Sequence, residues 1–155
     1  MSQQNDPTDI GKMIGNLKKL CAIIIGATAL AMLTSLFKAD LLNLKTELKM
    51  IILLAASSAV TMITVAFILF GVIVKNTASK SGARSPREGA FRIVRSAWLI
   101  RYVFLLSVCF LNFMVGILEN NLIGLLIGTA ALLLMCVTFP STSKVENAIQ
   151  QHLES

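Results

Sequence analysis

AWLIRYVFLLSVCFLNFMVGILENNLIGLLIGTAALLLMCVTF, residues 97–139, decides the fold of this chain. Arg101 and Glu119 are its only charged residues. As a single helix it would run about 65 Å at ~1.5 Å per residue. The hydrocarbon core of a bilayer is about 30 Å thick. The segment is therefore too long to cross once, and Glu119-Asn120-Asn121 divides it. Two spans follow, Ala97–Leu118 and Asn121–Phe139, joined by a very tight turn and hence antiparallel.

Two further apolar runs lie upstream, Leu20–Phe37 and Met50–Val74, and neither contains a charge. Each is long enough to cross a bilayer, and only a helix lets such a segment satisfy its own backbone. The expected fold is therefore all-α: a polytopic membrane protein with four transmembrane helices in two antiparallel hairpins. It forms one membrane domain over residues 1–155, with a basic loop at 75–96 and a tail at 140–155. The first run has no convincing small-residue cleavage site after it and is expected to be a retained helix rather than a signal peptide.

Composition agrees. Hydrophobic residues make up 55% of the chain and charged residues 14%, against about 25% in soluble proteins, which leaves little from which to build a soluble domain. The net charge of +6 sits in short connecting segments, where basic residues set topology, so nucleic-acid binding is not expected. Assigning connectors to alternate sides places ten Lys and Arg on one side and three on the other. The ten lie before the first span, in the central loop and in the tail; the three are Lys38, Lys45 and Lys49. The richer side is the cytoplasmic one, with both termini inside.

Finer patterning adds detail. Ile10, Met13, Ile14 and Leu17 recur at helical spacing behind Asp9 and suggest a short interfacial helix leading into the first span. Small residues such as Ala22, Gly26 and Ala29 suit close helix packing, as does the Gly124/Gly128 pair of the last span. After Pro86, Phe91, Val94, Trp98 and Leu99 share one helical face. Trp98 and Tyr102 fall where an interfacial aromatic belt is expected. Beyond Pro140, Ser143 and Glu146 fit a capping box, and Val145, Ile149 and Leu153 mark an amphipathic tail helix.

Few residues could carry chemistry. Arg101 is the one ionisable group inside a span. It stands four residues past Ala97, so it can snorkel to the headgroups; a lipid phosphate or a carboxylate on another subunit is the other reading. Asn112, deep in the third span, can hydrogen-bond to a neighbouring helix. Cys21, Cys109 and Cys136 have no metal or redox spacing and read as small buried hydrophobes. No Asp or Glu lies inside a span, as an ion-coupled carrier would require. No catalytic triad, metal cluster or phosphate loop is visible, so no enzymatic activity, cofactor or metal is expected.

The most distinctive stretch reads Ala83-Arg84-Ser85-Pro86-Arg87-Glu88-Gly89-Ala90, then Arg95-Ser96-Ala97-Trp98-Leu99-Ile100-Arg101-Tyr102. After an apolar run it ends in Asn121-Leu122-Ile123-Gly124 and Gly128. It resembles the ATP synthase subunit I family over roughly residues 83–135. The Gly…Asn-Phe pattern of that family's second span is missing from Met50–Val74. The resemblance implies a four-span protein of the bacterial cytoplasmic (inner) membrane that helps to assemble the rotor ring of c subunits and takes no part in catalysis. Candidate contacts for a partner or for lipid are Arg84, Arg87, Arg92, Arg95 and Arg101. Candidate packing positions are Gly26, Asn112, Gly124 and Gly128. The alternative class is a homo-oligomeric pore or carrier subunit, holin-like or a small transporter; a structural subunit of a larger respiratory complex is a third.

Overall fold

Lys45 pairs with Asn121 in a two-residue parallel bridge, and this small contact fixes one end of the molecule. Lys45 N–H donates to the Asn120 carbonyl at 2.8 Å, and Leu122 N–H donates to the Lys45 carbonyl at 2.9 Å. The Asn121 amide also donates to the Glu47 carbonyl at 2.8 Å. The chain that leads into the second helix thus clasps the turn between the third and fourth. These positions come from a computed structural model that describes residues 7–36, 44–76 and 85–154.

The described residues form five helices: α1 Pro7–Leu36, α2 Met50–Asn76, α3 Pro86–Leu118, α4 Leu122–Val137 and α5 Thr142–Glu154. α1, α2 and α3 are each long and apolar enough to cross a membrane. α4 and α5 pass that test only together, as a pair bent by 75°. The span count is three, or four if the bent pair is one span.

Three expectations about element boundaries change. The segment from Ile10 is no separate interfacial helix, because α1 runs unbroken from Pro7. The helical stretch expected after Pro86 is continuous with the third span: α3 runs from Pro86 to Leu118, so Arg87, Arg92 and Arg95 of the 75–96 segment lie on its first turns. Its start has a local cause. The Ser85 side chain accepts the Glu88 N–H at 3.2 Å, and Pro86 occupies the first turn, where its missing N–H costs nothing. The tail helix is capped two residues earlier than expected. Ser141, not Ser143, precedes it, and its hydroxyl accepts the Lys144 N–H at 3.3 Å.

α3 is the centre of the packing. α2 and α4 lie along it, and α1 and α5 also touch it. α2 runs antiparallel to α3, with Lys49 near Glu119 at one end and Phe70 near Trp98 at the other. α1 runs parallel to α3, with Met32 against Cys109. α1 packs on α3 and α4 and makes little close approach to α2, so among the described residues the first two helices are not joined as a tight hairpin. α5 folds back over the α3 start and the α2 end, burying Val145, Ala148 and Ile149 against Phe91, Val94 and Val74. Leu153, expected on the same face, is half exposed.

The α3–α4 pair is joined by missing side chains. A Cβ on Gly124 would stand 2.7 Å from the Gly116 Cα and 2.8 Å from the Asn112 carbonyl oxygen. A Cβ on Gly116 would stand 2.6 Å from the Leu125 nitrogen, and one on Gly128 would crowd Phe113 and Cys109. The backbones are in contact, as Gly124 and Gly128 suggested, and Gly116 is the partner that sequence reading missed. Asn120, at φ 49°, turns the chain between the two helices, and the Asn121 side chain caps α4 by accepting Ile123 N–H at 2.9 Å. Gly26 has nothing within 4 Å of its Cβ position and is not a packing residue here: its face of α1 is open.

Candidate functional site at the level of Arg101

α4 stops after Val137, and the last carbonyls of a helix have no partner within it. In hydrocarbon such groups cost several kcal/mol each. Here each finds a donor. Leu134 accepts Thr138 N–H at 2.9 Å, and Cys136 accepts Phe139 N–H at 3.2 Å. Met135 accepts the Tyr102 hydroxyl at 2.8 Å. Val137 accepts the Lys144 ammonium at 2.9 Å, and Thr138 accepts the Trp98 indole N–H at 3.1 Å. The chain can therefore bend sharply at Pro140. Trp98 and Tyr102, expected as belt residues facing headgroups, are instead buried, with their polar atoms closing the end of α4. A free backbone acceptor nearby outcompetes the interface as a partner for them.

Between Trp98 and Tyr102 on α3 stands Arg101, on the α2 side of the helix. Its side chain is 9% exposed. The guanidinium carbon lies 3.6 Å from the Phe70 ring centre, 4.7 Å from that of Phe67 and 5.8 Å from that of Trp98. Phe70 meets Trp98 edge-on, with ring centres 4.9 Å apart. The charge is thus drawn back toward the α3 start, the direction in which helical side chains lean. A desolvated cation–π contact contributes about 2 kcal/mol, and three rings share this cation. They supply no hydrogen-bond acceptor in the plane of the guanidinium. Among the described residues none accepts a hydrogen bond from Arg101, and its Nε is buried without a partner. Phe67 and Phe70, spaced i and i+3 on α2, are the residues that sequence reading missed. Their spacing marks a helix face, but nothing local connects that face to Arg101.

The other arginines are elsewhere. Arg87, Arg92 and Arg95 are exposed on the first turns of α3. Arg92 pairs with Glu88 at 2.8 Å one turn away. Arg95 edges a cleft of about 280 Å³ between α1 and α3, lined also by Met13, Asn16, Leu17, Leu20 and Phe91. Arg84 lies outside the described residues.

Asn112 is buried at the α3–α4 contact but does not bond across it. Its amide donates to the Val108 carbonyl of its own helix at 3.1 Å, and its oxygen has no partner among the described residues. Cys21 and Cys109 are buried as expected, whereas Cys136 is exposed on α4.

These features define an all-α protein whose longest helices are of membrane-crossing length and composition. No family model, no curated protein and no solved structure matches the chain.

Proposed function

We propose that the chain is a non-catalytic accessory protein of the bacterial inner membrane, with α1, α2, α3 and α4 as four spans, α5 as a cytoplasmic tail helix and both termini in the cytoplasm. The ten-to-three asymmetry of basic residues supports this orientation. The observation that carries the reading is the length of α3. From Trp98 to Leu118 it covers about 30 Å, the thickness of a bilayer core. The part from Pro86 to Ala97 then projects about 18 Å beyond it. That projection carries exposed Arg87, Arg92 and Arg95 and is backed by α5. It offers a charged, braced surface at the membrane face, suited to holding a partner subunit.

The resemblance over residues 83–135 supplies a particular partner, the c subunits of the F-type ATP synthase rotor, and a particular task, their assembly into a ring. Arginine rather than lysine on this surface suits recognition of carboxylates or phosphates by paired hydrogen bonds. The test is the yield of assembled rotor ring in cells lacking the chain and in cells carrying Arg87, Arg92 and Arg95 all changed to Lys, with membrane insertion measured separately. The deletion should lower the yield, and the triple variant should insert normally yet restore it poorly. Full ring yield without the chain would overturn the assembly role.

A further inference from the structure

We propose that Arg101, held against Phe67 and Phe70, is a binding site for the phosphodiester of an anionic phospholipid in the leaflet at the α5 end. The guanidinium is a cation with its hydrogen-bonding capacity unused, nine-tenths buried, in a chain with no carboxylate inside a span. Three aromatic rings neutralise part of its charge through their faces, but guanidinium N–H groups point outward in the ring plane and need acceptor oxygens. A phosphate offers paired oxygens that match this fork.

Depth selects the source. Arg101 is less than one turn inside Trp98, and Trp98 is level with the end of α4, where the chain leaves the apolar layer. The head leans further outward, over Phe70. It therefore lies just beneath the phosphate layer. Neighbouring Phe67 and Ile68 are exposed on the outer side of α2, where acyl chains would lie. Charge selects the headgroup. Lys12, Lys18 and Lys19 of α1 and Arg87, Arg92 and Arg95 of α3 all stand toward the same end, and this field favours a lipid of net negative charge over a zwitterionic one. The inference rests on α3 lying in the bilayer and is independent of the partner proposed above.

The experiment measures thermal unfolding of the full chain in neutral detergent with added phosphatidylglycerol, phosphatidylcholine or inorganic phosphate. Phosphatidylglycerol should raise the midpoint more than phosphatidylcholine, and inorganic phosphate should leave it unchanged. In Arg101→Gln the phosphatidylglycerol needed for half the effect should rise about tenfold, the weight of one charge-assisted pair. Lys19→Gln, which removes an exposed charge from the same end, should keep the preference. Phe70→Leu keeps the arginine but loosens its seat and should weaken the preference in the same direction. It also decides the question if Arg101→Gln does not fold. Four results would overturn the site: equal midpoints with the two lipids in the unmodified chain, an equal shift from inorganic phosphate, an undiminished preference in Arg101→Gln or in Phe70→Leu, or an equal loss in Lys19→Gln. Alkali-resistant membrane association of the unmodified chain checks the bilayer reading by itself.

Discussion

α3 has two seams, and they are built in opposite ways. Against α4 the seam is closed by what is absent: Gly116, Gly124 and Gly128 let backbone touch backbone, and the end of α4 has its carbonyls matched to donors. Against α2 it is filled by large side chains, and among them sits a cation whose donors are unused. Among the described residues the first seam has one buried side-chain polar atom without a partner, the Asn112 oxygen. The second has an unmet charge at the edge of the apolar layer. A satisfied seam holds the fold together. A seam that retains an unmet charge has a ligand still to find, because leaving a charged donor unbonded costs more than leaving a neutral one.

The comparison is most easily broken at the glycines. Gly124→Leu would drive a side chain into the Gly116 and Asn112 backbones, and the helices must separate. A loss of about 3 kcal/mol is expected, at the upper end of overpacking costs. Gly26→Leu meets nothing and should stay within about 0.5 kcal/mol of the unmodified chain. Thermal unfolding of both in the same detergent is the check; equal losses would mean that the α3–α4 contact is not what distinguishes these glycines.

The closed end of α4 comes next. Tyr102→Phe removes the donor to Met135 while keeping the ring, so the cost should be about 1 kcal/mol. It falls at the low end of the penalty because the Thr138 hydroxyl already approaches that carbonyl at 3.4 Å. Faster hydrogen exchange at residues 134–138 should accompany it, and unchanged exchange there would count against the capping role.

The α2 seam should respond differently. Arg101→Leu removes a buried unpaired charge, so in neutral detergent it should be neutral or stabilising by up to about 1 kcal/mol, as when a buried ionic group is exchanged for an apolar one. A loss of several kcal/mol would show that the arginine is a structural brace and that the two seams are alike.

The smallest effect is expected at the far end. Lys49 and Glu119 form an exposed pair at 2.6 Å that joins α2 to the α3–α4 turn. The Glu119 hydrogen bond and charge raise the Lys49 pKa above its ordinary value. A raised lysine pKa stabilises the fold below the unfolded value of about 10.4 and loses that contribution as pH rises through the folded value. Unfolding midpoints of the unmodified chain and Lys49→Met should therefore differ slightly at pH 7 and converge as pH rises through the raised lysine value. A gap that persists above that value would have another source than the ion pair.

Much of this was legible beforehand. Apolar runs, the polar break at Glu119–Asn121 and the Gly124/Gly128 spacing are local or periodic signals, and a helix turns period directly into a face. The start of α3 was equally local: the helical pattern after Pro86 was visible, and Ser85, Pro86 and Glu88 stand at cap spacing. Less legible were pairings between distant residues. Tyr102 with Met135, Lys45 with Asn121 and Arg101 with Phe70 each join separate elements, and no periodicity within one element names its partner in another.

The sequence by itself determined that the chain is helical, that its long helices are apolar enough for a bilayer, and where the sharpest turn falls. Each follows from the backbone's need to satisfy its own hydrogen bonds in a segment without charges. Only the tertiary structure decided that α3 is the hub, that Trp98 and Tyr102 serve the end of α4 rather than the headgroups, and that Arg101 rests on rings instead of a carboxylate. Those outcomes depend on which donors, acceptors and faces arrive at the same place. That is set by close packing of whole helices, with Gly116 and Gly124 fixing how near two of them can come.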